Sequence, residues 1–467
     1  MSKKLWIGLA AGAVIAIPAA YAGGTLYVGH EIEQRVSEYR EALVANPDIQ
    51  VSTLRYESTA FGEGLVHYDI AIHPAAISEQ YATISRERSG EVDPLELQGS
   101  MPVEEGPLID GRPLIARTEH TWALPEQIAG SLSSWDGSDA VEVIATVGLT
   151  GTTTIDARIA GYQGMVEHAS KASPARADFQ GAELTMTLGR GLDSATYNGR
   201  MPRFLFEGDE GAALVENVTF DAAFEQHESG LWLGRADFSA GTTSLETPDG
   251  AGRIDAMTFE TTSGLDDGDV TATSKAQFDA MRIHEVDYGS LSMDMSMQGV
   301  SPTTWKTFSE ASQQARDNPQ AMQKAFMTML AEGPRVAINE VVLRKGDTDV
   351  FTLSADVAIP EVSGAGSGSI QQIINTVEGN LSAELTSAGA LALARANAQA
   401  QAIQGGRQLS QEALDRQAEQ LHSQWLQSAQ YIPLVHERDG GLYVDASVRD
   451  GMIRDGDQQA FPIGQLF

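Results

Sequence analysis

The residues that could do chemistry in this 467-residue sequence are histidines and carboxylates, and their spacing assigns none of them to a site. Nine histidines are scattered along the chain, and two on one predicted strand, His67 and His73, are six positions apart. Six residues of extended chain span about 20 Å, which is too far for two side chains to share a metal ion. We therefore expect both histidines to be exposed polar residues.

Two Asp-Gly segments, Asp266–Asp269 and Asp450–Asp457, offer the hard oxygen ligands that calcium prefers. Neither segment has the twelve-residue loop with a closing glutamate that is typical of helix–loop–helix calcium sites. Because Asp-Gly pairs are also the commonest chemistry of tight β-hairpin turns, we predict turns at both segments. The sequence designates no catalytic, cofactor-binding or metal-ligating residue, and it implies no cofactor.

The sequence contains no motif of a nucleotide-binding or hydrolytic enzyme. It has no Gly-x-Ser-x-Gly elbow, no phosphate-binding loop and no His-Glu-x-x-His pair. It also has no cysteine, which excludes disulfides, thiolate nucleophiles and iron–sulfur clusters. The 64 acidic residues could supply a carboxylate pair for general acid–base hydrolysis, but the sequence alone selects no such pair.

The acidic composition excludes a nucleic-acid-binding role. The chain has 64 Asp and Glu residues against 31 Lys and Arg residues, which gives a formal net charge of −33. Binding to a nucleic-acid backbone needs clustered cations that displace counterions, and the sequence has no basic stripe. Since hydrophobic residues make up 42% of the chain and charged residues 20%, we expect a folded protein rather than a disordered acidic tail.

The first thirty residues have the pattern of a membrane anchor. Lys3 and Lys4 precede an uncharged run at 5–28, and Glu31 follows it. As a helix, this run would be about 36 Å long, enough to cross a hydrocarbon core of about 30 Å. Because lysines remain on the cytoplasmic side, the sequence predicts a single-pass protein with the bulk of its chain outside the cytoplasm.

A cleaved signal peptide is the alternative interpretation of the same run. Ala20-Tyr21-Ala22 fits the small-x-small pattern of a cleavage site. The uncharged run nevertheless continues to Val28 and leads into a helical pattern at 29–50. A helix that continues out of the membrane favours the anchor, and the sequence leaves cleavage open.

Residues 51–300 have the period-two alternation of strands with one buried face and one polar face. The alternating apolar positions of the two clearest strands are Val66, Tyr68, Ile70 and Ile72, and Leu291, Met293, Met295 and Met297. Turn signals between the strands indicate antiparallel meanders rather than β–α–β units. We expect the Met and Phe side chains on one face to form a core rather than a ligand groove.

Two helical insertions interrupt the strands, near 302–331 and near 388–427. Asn318 and Pro319 predict a helix start within the first insertion, and Ser410 is a predicted N-cap in the second. The apolar stripe expected on the second helix of the first insertion comprises Met322, Phe326 and Met329 or Leu330. These insertions add accessory helices to a chain that is otherwise mostly strand.

Together the patterns predict a mainly β fold with accessory α-helices. An N-terminal transmembrane helix would precede a large curved antiparallel sheet or open barrel-like body, and the strand pair 432–437 and 442–449 would close the chain. The predicted regions are an anchor at 1–28, a juxtamembrane helix at 29–50, an antiparallel β-rich region at 51–300 and an α+β C-terminal region at 301–467.

Short segments spread over nearly the whole chain carry a family resemblance. They are Gly24–Gly29, Tyr56–Leu65, Glu105–Arg117, Gly230–Gly234 and Leu442–Asp457. Together they resemble the YdgA-like family of bacterial envelope proteins, a domain family of unknown function, although Glu105 stands where the family usually has histidine. The resemblance implies an inner-membrane anchor, a periplasmic β-rich body and no defined catalytic residues.

The favoured function is that of a non-catalytic envelope protein, either a scaffold or a protein that binds a lipid or other amphiphile in an apolar groove. One alternative is a self-associating structural protein that forms homo-oligomers through the helices at 302–331 and 388–427. A less favoured alternative is an extracytoplasmic hydrolase with paired carboxylates. The expected partners are the membrane, through the N-terminal helix, a lipid or envelope protein, and a second copy of the chain, but no nucleic acid.

Overall fold

The fold is mainly β, with antiparallel strands that do not close into a barrel and four helices among the described residues. The computed structural model of the protein describes Arg40, Val44 and the ranges 49–60, 63–72, 94–105, 109–123, 132–133, 140–166, 174–190, 193–209, 211–248, 250–283, 286–313, 319–360, 376–404, 409–429, 431–432, 434–456 and 460–462. The predicted anchor at 1–28, most of the predicted helix at 29–50, His73 and the C-terminal part of the Asp450–Asp457 segment lie outside these residues. Within them, no helix combines the length and the apolar character that crossing a bilayer needs.

The chain forms two compact units, Met1–Ala223 and Phe224–Phe467. The strands of the first unit are β1 (Ile49–Ala60), β2 (Glu63–Ile72), β3 (Leu95–Glu105), β4 (Leu114–Trp122), β5 (Val141–Gly148), β6 (Thr153–Ile159), β7 (Tyr162–Val166), β8 (Ala175–Phe179), β9 (Ala182–Leu188) and β10 (Ser194–Gly208), and β11 (Gly211–Gln226) contains the boundary. Strands β1 to β6 pair consecutively, β6 then pairs with β9, and β9 with β10. Strand β8 pairs with both β10 and β7.

The core of the first unit forms on one face of these strands because apolar and polar side chains alternate along each of them. In β2, Val66, Tyr68, Ile70 and Ile72 are all at most 6% exposed, which confirms the predicted alternation. Their neighbours in the core include Met101, Val103, Val141, Val143 and Ile155. The strand order therefore brings residues that are distant in sequence into one hydrophobic cluster.

The second unit is a meander with two helical insertions. Its strands are β12 (Trp232–Thr247), β13 (Gly250–Asp266), β14 (Asp269–Ile283), β15 (Val286–Val300), β16 (Arg335–Lys345), β17 (Thr348–Ala358), β18 (Glu378–Leu385), β19 (His436–Arg438), β20 (Gly441–Arg449), β21 (Met452–Asp455) and β22 (Ala460–Pro462). Strands β12 to β18 pair consecutively, and β18 then pairs with β20. All of these pairs are antiparallel, as the turn signals predicted.

Three Asp-Gly pairs close tight hairpins in this unit. The pairs are Asp267-Gly268, Asp439-Gly440 and Asp450-Gly451, and every one of these residues has a positive φ between 50° and 92°. Two consecutive residues with positive φ form the turn that matches the twist of paired strands. The turns predicted at the two acidic segments are therefore confirmed. The closing strand pair, however, begins at His436 rather than at Ile432, which follows a helix end as an exposed turn.

The helices are α1 (Pro302–Gln313) and α2 (Pro319–Ala331) in the first insertion, and α3 (Ser387–Gln404) and α4 (Gln411–Ala429) in the second. Pro319 is the first residue of α2, and the Ser410 side chain accepts a hydrogen bond from the Ala413 amide at 3.3 Å, as predicted. The predicted stripe on α2 is only partly buried. Met329 is 8% exposed, whereas Phe326 is 43% exposed, because the helix packs through Ala325 and Met329 instead.

Apolar side chains form continuous cross-strand rows on one face of the second unit. Directly paired residues project from the same face of a sheet, so the strand register defines each row. One row consists of Phe238, Phe259, Ala276, Met293, Val341, Leu353, Ala383 and Val444, on β12 to β18 and β20. This register confirms that the alternating Met residues of β15 share a face with apolar residues of the neighbouring strands.

This face is not a closed core, contrary to expectation. Met295 is 39% exposed and Val336, on the neighbouring strand, is 46% exposed. Alternation determines which side chains share a face, but it does not determine whether a second layer covers that face. Helix α3 contacts β15, β17 and β20, yet these side chains remain in contact with water.

Two valines of β16 test this distinction between core and surface. Val342 is 1% exposed, so Val342→Ala should lower the free energy of unfolding by about 2 kcal/mol through lost burial and a residual cavity. Val336→Ala should change it by less than about 0.5 kcal/mol, because the side chain is already exposed. Urea denaturation of both variants measures the difference, and equal losses would show that Val336 belongs to a core.

Candidate functional site

The candidate site is an exposed apolar area on strands β15 to β18, which we call the apolar patch. Its four most exposed members are Met295, Val336, Val357 and Leu381, at 39%, 46%, 38% and 36%. The register makes them neighbours, since Met295, Ile338, Ala355 and Leu381 form one row and Met297, Val336 and Val357 form the next. Several large apolar side chains that lie next to one another and are exposed to water are unusual on the surface of a soluble protein. Such patches mark binding sites.

An aromatic group extends the apolar surface toward β12. The Phe238 and Phe259 rings have centroids 6.1 Å apart, and the Phe259 and Phe278 rings have centroids 5.4 Å apart with an edge-to-face arrangement. Phe259 is 38% exposed and shares a row with Met293, which adjoins the apolar patch. At about 4.8 Å between strands, the surface from β13 to β18 is about 24 Å across.

The opposite face of these strands, which we call the charged face, carries charged and polar side chains at this end of the sheet, although Val342 on the same face is buried. Lys275 and Asp294 form an ion pair of 3.9 Å, and the Asn339 side chain donates a hydrogen bond of 2.8 Å to Asp294. By contrast, the two paired rows of the apolar patch contain no charged residue between β15 and β18. At this end of the strands the sheet is therefore amphipathic, with one charged face and one apolar face.

A polar hollow of about 440 Å³ lies on the charged face, at the end of strands β16, β17, β18 and β20. Its lining residues are Arg335, Asp356, Ala358, Glu378, Gly379, Asn380, Ser447, Val448, Arg449 and Arg454. The Arg335 Nε donates hydrogen bonds to both carboxylate oxygens of Asp356, at 2.9 and 3.2 Å. Arg335 lowers the pKa of the Asp356 carboxyl below its usual value, first through this hydrogen bond, so Asp356 is poorly suited to donate a proton at neutral pH.

In the first unit, the main polar arrangement is a hydrogen-bonded network at the edge of the core. The Trp122 Nε1 donates to the Tyr68 hydroxyl at 2.8 Å, and the His120 Nε2 lies 3.1 Å from the same oxygen. Gly99 makes this arrangement possible, because a Cβ at that position would lie 2.5 Å from the Tyr68 hydroxyl. Burial lowers the pKa of His120 and raises that of Tyr68, so both side chains remain neutral over a wide pH range.

His67 and Glu105, two residues of the sequence patterns described above, both contact side chains of other strands. His67 hydrogen-bonds to Ser100 at 2.8 Å and lies 3.3 Å from a carboxylate oxygen of Glu57. Glu105 accepts a hydrogen bond from the Tyr56 hydroxyl, which joins two of the segments that carry the family resemblance. Within the described residues, no three His, Asp or Glu side chains form a group that could hold a metal ion.

Sequence reasoning missed both the polar hollow and the Tyr68 network. Arg335, Asp356 and Arg454 come from three strands, and nothing in their sequence spacing indicates that the register places them around one hollow. His120 and Trp122 follow the alternation of a core strand, so a signal for that network was present in the period-two pattern.

The fold and the site define a protein that is built on an open antiparallel sheet, one face of which is apolar and exposed to water. The chain matches the family described as bacterial protein of unknown function (DUF945) over residues 1–455. This match covers most of the chain, and the protein belongs to that family. Comparisons with curated proteins and with solved structures give no significant match.

The depressed pKa of His120 predicts a stability that depends on pH. Unfolded histidine titrates near 6.5, and the folded side chain titrates lower. Below about pH 6.5 the unfolded state therefore binds a proton that the folded state does not, and stability falls as the pH falls. In urea denaturation at about pH 7.5 and pH 5.5, His120→Gln should lose less stability than the wild type on acidification. An identical loss in both proteins would contradict the role assigned to His120.

Proposed function

We propose that this protein is a non-catalytic, membrane-anchored envelope protein that binds the acyl chain of an amphiphile on the apolar patch. The observation that supports this proposal most strongly is the exposure of Met295, Val336, Val357 and Leu381 in two adjacent cross-strand rows on one sheet face. Leaving this surface in water costs free energy, at roughly 25 cal/mol for each Å² of apolar area. A ligand that covers the patch would recover part of that cost.

An acyl chain fits the chemistry and the dimensions of the patch. Flexible Met side chains adapt to irregular apolar ligands, and Val and Leu provide branched walls between them. Four strands at about 4.8 Å spacing give a width of about 14 Å. This width is close to the length of one lipid tail, since the hydrocarbon core of a bilayer is about 30 Å thick and contains two tails end to end.

The location that we propose is the bacterial inner membrane, with a single N-terminal helix and the bulk of the chain in the periplasm. Lys3 and Lys4 before the uncharged run at 5–28 support this orientation. The resemblance to YdgA-like envelope proteins supports the same location, and the family match includes the run. An anchor would hold the apolar patch near a source of lipid.

Paired substitutions on β17 test the acyl-chain proposal. Val357→Glu puts a charge into the apolar patch, whereas Ser354→Glu puts the same charge on the other face of the same strand, where Ser354 is exposed. Val357→Glu should weaken binding at least about tenfold, or about 1.4 kcal/mol, because a charge must lose water to contact an acyl chain. The measurement is a titration with a fluorescent zwitterionic lysophospholipid, below its micelle concentration.

The control is expected to bind as the wild type does. If Ser354→Glu and Val357→Glu weaken binding equally, added negative charge rather than the apolar patch explains the effect. If the wild type shows no saturable binding, the acyl-chain proposal fails outright. Circular dichroism of both variants verifies that the strand remains folded.

Self-association through the helices is a second candidate function, because three apolar helix residues are exposed. Phe326 of α2 is 43% exposed, and Leu391 and Ile403 of α3 are 40% and 38% exposed. If these side chains form an interface, Phe326→Ser and Leu391→Ser should shift the protein from oligomer to monomer. Sedimentation velocity over a range of concentrations measures this shift, and a wild-type protein that remains monomeric would contradict it.

A further inference from the structure

We propose that the polar hollow binds a phosphate-bearing oxyanion through Arg335, Arg449 and Arg454. This inference does not rest on the acyl-chain proposal, because the hollow lies on the opposite face of the sheet from the apolar patch. The lining contains three guanidinium groups and two carboxylates, Asp356 and Glu378. A net positive lining is exceptional in a chain whose formal net charge is −33.

The strand register builds the floor of the hollow from polar side chains. Asp356, Asn380, Ser447 and Arg454 are paired in one row across β17, β18, β20 and β21. The row is about 14 Å long at the usual strand spacing. Asn380 and Ser447 in its centre are hydrogen-bonding residues with short side chains, so a space remains between the Arg335–Asp356 pair at one end and Arg454 at the other.

The Arg335 side chain lines one side of this space and is held in place by Asp356. Its Nε donates to Asp356 at 2.9 and 3.2 Å, and its Nη2 donates to the same carboxylate. This pairing raises the pKa of Arg335 and occupies one edge of the planar guanidinium. Because five N–H groups are present and only that edge is engaged, the remaining Nη1 group is available to an oxyanion.

The two other arginines, Arg449 and Arg454, have more N–H donors available to a ligand than Arg335 has. Arg449 lies 4.0 Å from Glu378, at the limit of an ion pair, and both side chains are more than half exposed. Arg454 forms no ion pair with another residue in the part of the chain that the structure describes. Several guanidinium groups around one small space form charge-assisted hydrogen bonds with a phosphate group, whose oxygens accept from more than one direction.

The phosphate group could belong to a small soluble molecule or to a lipid headgroup, and both have the same recognition chemistry. The probes that separate these sources are inorganic phosphate, glycerol 3-phosphate and a soluble short-chain phosphatidic acid. Isothermal titration of the full chain with each probe at low salt measures binding. Binding of all three indicates recognition of the phosphate itself, whereas binding of phosphatidic acid alone indicates a lipid headgroup.

Matched charge-neutralising variants test the site. Arg454→Gln and Arg449→Gln should each weaken binding about tenfold, because each removes charged hydrogen-bond donors from the hollow. Arg344→Gln is the control, since Arg344 lies at the other end of β16 and pairs with Asp349 at 2.6 Å. It makes the same change in net charge and should leave the affinity within about twofold of the wild type.

Two outcomes would overturn the inference. One is the absence of saturable binding for all three probes. The other is an equal loss of affinity in Arg344→Gln and Arg454→Gln, which would attribute binding to net charge rather than to the hollow. Arg449 and Arg454 are exposed side chains, so the variants should fold, and thermal unfolding followed by circular dichroism verifies that they do.

Discussion

The period-two alternation of side chains along antiparallel strands is the constraint on which the rest of the structure depends. Because paired residues project from the same face, eight strands of the second unit align their apolar side chains into continuous rows. The same register places Asp356, Asn380, Ser447 and Arg454 in a row on the other face. The apolar patch and the polar hollow are therefore two results of one strand arrangement.

The two units use this alternation differently. In the first unit, Val66, Val143 and Ile155 are at most 2% exposed, and the alternation builds a closed core. In the second, Met295 and Val336 project into water from an equally regular face. A sheet can have one solvated face, but that face is normally polar. The apolar character of this exposed face is the basis of the proposed function, in which an acyl chain covers it.

Much of the fold could be predicted from the sequence because its causes are local. The β2 alternation, the Asp-Gly hairpins and the Ser410 cap each depend on residues within a few positions of one another. The exposure of Met295 and the assembly of the polar hollow could not be predicted, because both depend on which strands become neighbours and on what covers them. The turn at Ile432 was wrongly predicted as the start of a strand, since an apolar residue after a helix has the same local composition as a strand start.

The most direct test of the central claim is photo-crosslinking of the full chain with a zwitterionic phospholipid that has a diazirine in its acyl chain. Peptide mapping by mass spectrometry then locates the adducts. The proposed function predicts adducts concentrated on β15 to β18, at Met295, Val336, Val357 or Leu381. Adducts confined to other parts of the chain, or distributed evenly over both faces of the sheet, would contradict it.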